Sequence, residues 1–151
     1  MDIIERRKFN ISLLGDTCVG KTNIIFCYHG QPFNEGGWAT IGIDDFIEEF
    51  RFEGIDYKFK IYNTAGADRY DSVSSSTIPL SDGFLLIFSF DYRRSFEKLH
   101  QWMRTIKDKC DISKKVIFLI GNKIDLAERK VTNEEAIAFA KLYKIDFNYE
   151  T

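Results

Sequence analysis

The sequence has little proline, glycine, cysteine or histidine, and these shortages exclude several classes of protein. With two prolines and ten glycines in 151 residues, no segment is collagen-like or low in complexity. The three cysteines, Cys18, Cys27 and Cys110, are odd in number and widely spaced, which fits neither a zinc site nor a disulfide framework. The two histidines are also far apart in the sequence. This cysteine usage favours a reducing, cytoplasmic compartment.

Long apolar runs and an excess of either charge are missing as well. No run approaches the ~18 residues of a membrane-spanning helix, and 21 basic against 23 acidic residues leave a net charge of −2. A protein that binds nucleic acid over a broad surface needs a basic excess, so we expect no nucleic-acid partner. The length fits one domain with a sizeable core.

The chain does contain strand-like and helix-like segments that alternate. Residues 9–14 predict a strand and residues 22–28 a helix, and alternating residues on either side of Gly54 predict a half-buried antiparallel hairpin. Residues 84–88 and 116–120 are apolar throughout, as is typical of strands buried on both faces of a parallel sheet.

Two further helices and a last strand complete the pattern. A helical spacing of three and four residues relates Phe96, Leu99, Met103 and Ile106. A capping box at residues 132–135 opens the next helix, whose inner stripe is Ala136, Phe139, Ala140 and Tyr143. Residues 145–149 predict the last strand. This order predicts an α/β fold, with a mostly parallel central sheet, one antiparallel hairpin strand and helices on both faces.

One segment between the first strand and the first helix has a phosphate-binding signature. It fits G-x-x-x-x-G-K-[ST] and consists of Gly15, Asp16, Thr17, Cys18, Val19, Gly20, Lys21 and Thr22. The glycines let the backbone turn its N–H groups inward. Lys21 then reaches the β- and γ-phosphates, and the Thr22 hydroxyl ligates Mg²⁺. The alternative is a glycine-rich turn with a surface lysine.

A second segment with binding chemistry comes just after the apolar run 116–120. It contains Asn122, Lys123 and Asp125, at a place where α/β sheets bind ligands. The Asp125 carboxylate can accept hydrogen bonds from the ring N–H and the exocyclic amine of guanine, a donor pair that adenine lacks. Such a site rejects the analogue by roughly 10⁴–10⁵ in favourable cases. The alternative is an ordinary polar loop.

With both motifs in this order, the sequence resembles the Ras superfamily of small GTPases and, most closely, the Rab family. Residues 39–44 resemble the first switch segment of Rab proteins, and Thr64-Ala65-Gly66 followed by Arg69-Tyr70 resembles the second. The resemblance implies a phosphate-loop fold of the small-GTPase type. It also implies a molecular switch for vesicle trafficking that binds GTP or GDP with Mg²⁺ and hydrolyses GTP.

The resemblance assigns a role to individual residues. Phe33 would pack on the guanine edge, and Lys123 along the base and the phosphate loop. Thr40 would contact Mg²⁺ through its hydroxyl and the γ-phosphate through its backbone N–H, and the N–H of Gly66 would meet the same phosphate. The nucleotide contacts would extend over Asp16, Thr17, Cys18, Val19, Gly20, Lys21, Thr22 and Asn23, and to Asn122 and Asp125. Catalysis would involve Lys21, Thr40, Gly66 and position 67.

The run from Tyr62 to Tyr70 departs from the family's usual Trp-Asp-Thr-Ala-Gly-Gln-Glu-Arg. Asn63 replaces the aspartate that supports Mg²⁺; its amide can accept from a Mg²⁺-bound water but brings no charge. Ala67 replaces the glutamine that orients the attacking water. We therefore expect weak intrinsic hydrolysis, and the alternative function is a non-hydrolysing guanine-nucleotide-binding scaffold module. A third function, that of an ATPase or small-molecule kinase, is disfavoured by residues 122–125.

The resemblance also implies partners: an exchange factor, a GTPase-activating protein and effectors, bound through residues 33–46 and 63–78. Three aromatic positions that face effectors in Rab proteins are here Asp45, Tyr62 and Thr77. Asp45 cannot fill an apolar pocket without a desolvation cost. Its acidic neighbours form either a solvated strand edge or an acidic surface for an unusual partner; they are Asp44, Glu48, Glu49 and Glu53.

We expect residues 1–151 to be one GTPase domain that stops before the last guanine-binding motif and the C-terminal helix. Family members continue the final Glu-Thr with Ser-Ala-Lys, and here the sequence ends at Thr151. Membrane attachment would then depend on a lipidated tail beyond Thr151, which would hold the protein on the cytoplasmic side of endomembranes.

Overall fold

The fold was obtained as a computed structural model that describes residues 5–30, 32, 43–64 and 76–148. The strands are β1 (Arg6–Leu14), β2 (Ile43–Phe52), β3 (Ile55–Thr64), β4 (Gly83–Ser89), β5 (Val116–Asn122) and β6 (Asp146–Asn148). The α-helices of this part of the chain are α1 (Lys21–Tyr28), α2 (Arg93–Glu97), α3 (Leu99–Lys109) and α4 (Asn133–Tyr143). Two 3-10 turns, Ile78–Leu80 and Ile112–Lys114, precede β4 and β5.

The six strands form one sheet with the order β2-β3-β1-β4-β5-β6. β1 pairs in parallel with β3 and β4, β4 with β5, and β5 with β6, while β2 is antiparallel to β3. This topology confirms the predicted α/β fold with one antiparallel hairpin strand. Because the other five strands run in the same direction, their carboxyl ends meet at a single edge of the sheet, where ligands bind in such folds.

The core consists of two clusters of buried side chains, one on each face of the sheet. Successive residues of a strand point to opposite faces, so Leu13 packs in the cluster that contains Ile25 of α1, and Leu14 in the larger cluster beneath α2, α3 and α4. The predicted helical stripe is buried in that larger cluster: Phe96, Leu99, Met103 and Ile106. The structure divides this segment into α2 and α3 at Lys98.

The predicted capping box defines the start of α4. Thr132 Oγ1 accepts from the Glu135 N–H at 3.1 Å, and Glu135 Oε2 accepts from the Thr132 N–H at 2.9 Å. These bonds satisfy two N–H groups at the helix start. On the inner stripe Ala136, Phe139 and Ala140 are buried and Tyr143 is half-buried.

The expectation that residues 116–120 are buried on both faces is wrong for part of β5. Ile117 and Leu119 are buried in the larger cluster, but Val116 is 56% exposed and Phe118 is 40% exposed. Within the described part of the chain, three helices contribute to the cluster on one face and α1 alone to the cluster on the other. No helix in the described ranges combines the length and apolarity required to cross a membrane.

Candidate functional site

Three of the predicted segments lie together at the carboxyl edge of the sheet. Residues 15–20 connect β1 to α1, Asn63 and Thr64 end β3, and Asn122 ends β5. These strands lie within the same parallel set, so the sheet brings together positions that are up to 107 residues apart, from residue 15 to residue 122.

The phosphate loop, defined as residues 15–22, curls tightly before α1. Gly20 has a φ of +99°, in the left-handed region that favours glycine. A Cβ at Gly15 would lie 2.3 Å from the carbonyl oxygen of Ile87, so the loop also needs glycine where it crosses β4. The first turn of α1 has no acidic residue, and its N-cap, Gly20, has no side chain with which to cap the helix. The N–H groups at this positive helix end are of the kind that bind anions.

Lys21 is buried at the centre of this loop, where it is 6% exposed. Its Nζ donates to the carbonyl oxygens of Gly15 at 2.9 Å and Asp16 at 2.8 Å. Burial lowers the pKa of Lys21 to about 8, with the nearby Asp16 charge opposing the shift. A bound anion would favour the charged ammonium.

Thr22 and Asn63 form the part of the site where Mg²⁺ is expected. Both side chains are buried, and Asn63 Nδ2 donates to Thr22 Oγ1 at 2.8 Å. Mg²⁺ takes hard oxygen ligands and often keeps waters and substrate phosphates among them. The Thr22 hydroxyl and the Asn63 amide oxygen fit that chemistry for an ion that arrives with a nucleotide, but the pair supplies no negative charge.

The segment after β5 is bound directly to the phosphate loop. Asn122 Nδ2 donates to the Val19 carbonyl at 2.8 Å, and Lys123 Nζ donates to the Cys18 carbonyl at 2.8 Å. Lys123 has a φ of +61°, so the chain turns at this point. Asp125 follows, exposed, on the next turn. The structure therefore brings the two predicted motifs into contact.

The remaining predicted residues of the phosphate loop and α1 differ in exposure. Thr17 and Cys18 are exposed, Val19 is fully buried and Asn23 is half-buried. The predicted contacts at Phe33, Thr40, Gly66 and Ala67 lie outside the described residues.

One charged contact of the phosphate loop was not predicted. Asp16 is 4% exposed, and its carboxylate accepts from the Thr17 N–H at 2.9 Å through Oδ1 and lies 3.4 Å from Lys98 Nζ. Lys98 comes from the junction of α2 and α3, 82 residues later in the chain. No local sequence signal identifies such a pair, because only the packing of α2 against β4 brings Lys98 to the loop.

Two acidic side chains of β2 are paired with lysines of β3 across the hairpin, and a third contacts His29 at the end of α1. Asp45 Oδ2 lies 3.3 Å from Lys60 Nζ, Glu49 Oε1 lies 3.5 Å from Lys58 Nζ, and Glu48 contacts His29. The lysine partners favour the solvated strand edge over a separate acidic surface, because they offset the charges of Asp45 and Glu49.

Of the three altered effector positions, Asp45 alone is exposed. Tyr62 is 9% exposed, and Thr77 is buried, where its Oγ1 accepts from Ser12 Oγ at 2.8 Å.

The strand order and the curled loop that leads into a helix define a phosphate-loop α/β protein. Comparison with known proteins identifies the family: a model described as "Ras family" matches residues 10–151. The Ras-related protein RGP2 of Oryza sativa subsp. japonica is 35% identical over 134 residues, which are 88% of this chain and 61% of that protein. The chain thus spans less than two thirds of that relative.

Rab proteins are similar over a larger share of their length. Rab-13 of Canis lupus familiaris is 35% identical over 95% of this chain and 70% of its own length. Rab-18 of Caenorhabditis elegans is 31% identical over 91% of this chain and 68% of its own length. The chain therefore belongs to the Ras family, and the resemblance to a Rab-like small GTPase of that superfamily is confirmed.

Proposed function

We propose that the chain is a guanine-nucleotide-binding molecular switch of Rab type, which binds GTP or GDP with Mg²⁺ and hydrolyses GTP slowly. The observation that carries the proposal is the pair of hydrogen bonds from Asn122 and Lys123 to carbonyl groups of the phosphate loop. These bonds join a segment suited to bind guanine directly to a segment suited to bind phosphates.

Each part of the site has a task in this proposal. The loop N–H groups and the start of α1 hold the phosphates, and the Lys21 ammonium moves from the Gly15 and Asp16 carbonyls to the β- and γ-phosphates. Thr22 offers its hydroxyl to Mg²⁺, which when bound neutralises charge on the phosphates. Asp125 accepts from the two guanine donors. Phe33, Thr40 and Gly66 take the roles that the family resemblance assigns to them.

The test of nucleotide binding is the preference for GDP over ADP, measured by calorimetric titration of the 151-residue chain. We expect GDP to bind at least ~1,000-fold more tightly, since a site built for two guanine donors leaves its carboxylate unpaired with adenine. Asp125→Ala should remove most of this preference. Glu128→Ala changes another exposed acid of the same loop and should not. Equal affinity of the wild type for ADP and GDP would contradict the proposal.

Hydrolysis is proposed to be slow because two supports of the reaction are altered. Phosphoryl transfer depends on positioning and electrostatic stabilisation. Lys21 and the loop amides can still stabilise charge on the leaving phosphate, but Ala67 has no amide to align the attacking water. Asn63 adds no negative charge near the metal. A GTPase-activating protein that supplies a glutamine and an arginine in trans would restore the missing alignment.

Single-turnover GTP hydrolysis tests this second part. The intrinsic rate of Ras, roughly 3–5 × 10⁻⁴ s⁻¹, includes its glutamine, so the wild-type chain should hydrolyse GTP at or below that order. Ala67→Gln should raise the rate about tenfold, which needs only ~1.4 kcal/mol of better alignment. Ala138→Gln, on the exposed face of α4, should leave the rate unchanged.

The same measurement distinguishes the alternative function. A wild-type chain that binds GTP but shows no hydrolysis, with or without the Ala67→Gln change, would favour the non-hydrolysing scaffold module. A wild-type rate well above the Ras value would contradict slow hydrolysis, because the water would then be positioned by a group outside this proposal.

We further propose that an exchange factor, a GTPase-activating protein and effectors bind through residues 33–46 and 63–78, in the vesicle-trafficking role of a Rab protein. The relatives named Rab-13 and Rab-18 support the Rab type. Attachment to endomembranes is proposed only for a form of the protein that carries a lipidated tail after residue 151.

A further inference from the structure

The phosphate loop contains a buried negative charge next to the place where phosphates are proposed to bind. The Asp16 side chain is 5% exposed. Its Oδ1 accepts from the Thr17 N–H at 2.9 Å, and its Oδ2 has no hydrogen-bond partner among the described residues. A buried carboxylate is costly unless a charge of opposite sign compensates it.

The compensating charge comes from Lys98, whose main chain is anchored between α2 and α3. Its main-chain N–H donates to the Arg94 carbonyl at 3.0 Å, and its carbonyl accepts from the Trp102 N–H at 3.1 Å. The residues on its two sides in the larger cluster, Phe96 and Leu99, are buried. The Lys98 side chain is 15% exposed and its Nζ lies 3.4 Å from Asp16 Oδ1.

Asp16 connects this ion pair to the phosphate-binding lysine. Its carbonyl oxygen accepts from Lys21 Nζ at 2.8 Å while its carboxylate faces Lys98. A movement of Asp16 would therefore move a ligand of Lys21. An uncompensated carboxylate here would also repel a polyphosphate, because few waters are present to screen the charge in a buried setting.

We propose that Lys98 is a positioning residue for nucleotide binding, which neutralises the Asp16 carboxylate and holds the phosphate loop in the form that accepts a polyphosphate. The inference rests on the proposed function, since it assumes that the loop binds the phosphates of GDP or GTP. It adds a residue from the α2–α3 junction that touches neither the phosphates nor the base in this proposal.

The test is a charge-compensation cycle in which the affinity for GDP is measured by calorimetry on the full 151-residue chain. Lys98→Met removes the charge and keeps an apolar stem, and should weaken GDP binding about tenfold, or ~1.4 kcal/mol. Asp16→Asn in the Lys98→Met background removes the repelling charge and should restore affinity to within about threefold of the wild type. Lys98→Arg should retain binding. Lys141→Met, at an exposed position of α4, is the matched control.

Thermal unfolding of the nucleotide-free proteins shows whether each variant is still folded. A loss of GDP affinity that comes from a displaced loop can then be told apart from one that comes from unfolding. If Lys98→Met only destabilises the fold, Asp16→Asn will leave GDP affinity low, and that result would overturn the inference. Equal GDP affinity of Lys98→Met and the wild type would overturn it as well. A wild-type chain that binds no guanine nucleotide would defeat the proposed function itself, and the inference with it.

Discussion

The two sides of Thr22 differ in how closely they follow the family pattern. On one side the phosphate loop is complete, with Lys21 buried and two hydrogen bonds that tie Asn122 and Lys123 to the loop carbonyls. On the other side, at the end of β3, Asn63 donates its amide to the Thr22 hydroxyl at 2.8 Å, where the family usually has an aspartate.

This difference bears separately on the proposed nucleotide binding and the proposed hydrolysis. The groups that we propose to hold a nucleotide are linked by hydrogen bonds from the Lys21, Asn122 and Lys123 side chains to main-chain carbonyls of the loop. Support of the proposed metal depends on the charge of one side chain, and that charge is absent at Asn63. The comparison therefore predicts that changes on the loop side alter affinity and stability strongly, whereas changes at Asn63 act modestly on the response to Mg²⁺.

Lys21→Ala should have the largest effect, and it tests whether the phosphate loop holds the nucleotide. Charge-assisted hydrogen bonds to phosphate are lost, and GDP affinity should fall by about 100-fold, or ~2.7 kcal/mol. Calorimetric titration with GDP measures the change, with Lys141→Ala as an exposed control. Affinity within threefold of the wild type would show that the loop does not hold the phosphates.

Gly20→Ala should have the next largest effect, here on stability, because the added methyl group would push Asn122 away from the phosphate loop. The added Cβ would lie 2.2 Å from Asn122 Nδ2, at a φ of +99°. We expect a loss of about 2–3 kcal/mol in the free energy of unfolding, from left-handed strain and a displaced hydrogen bond.

Gly30→Ala is the matched control for this change. Gly30 also has a positive φ, +79°, but a Cβ there would meet no atom of the described residues within 4 Å. Strain alone should cost about 1 kcal/mol. Urea unfolding measures both variants, and equal losses would mean that the contact between Gly20 and Asn122 contributes little.

Asn63→Asp should have the smallest effect, and it tests whether the missing charge at the end of β3 matters. The carboxylate would add a charge near the proposed metal, so Mg²⁺ should slow GDP release more in the variant than in the wild type. The difference should be only about threefold, because the retained waters screen part of the charge. Release of a fluorescent GDP is followed with Mg²⁺ and with EDTA. If both release rates equal those of the wild type, Asn63 does not influence the metal.

Local patterns explain why much of the fold could be predicted. The alternation around Gly54 indicated the hairpin, the spacing of Phe96, Leu99, Met103 and Ile106 indicated a buried helical stripe, and the capping box located the start of α4. These features depend on residues a few positions apart, whose preferences act before any long-range contact forms.

The break at Lys98 and the exposure of Val116 were not predictable in this way. Apolar residues along a strand show that it suits a buried position, but only the placement of helices decides which face is covered. Residues 116–120 are apolar throughout, yet the described helices cover the face of Ile117 and Leu119 more fully than the face of Val116 and Phe118.

By itself, the sequence determined the kind of chain this is: strands and helices in alternation, a phosphate-loop motif at residues 15–22, and, at residues 122–125, the segment that we propose binds guanine. Tertiary structure decided what those segments contact. Lys123 reaches Cys18 across 105 residues and Lys98 reaches Asp16 across 82. The reason is that a motif is encoded by neighbours along the chain, whereas charge compensation and the joining of two loops depend on which strands become neighbours in the sheet.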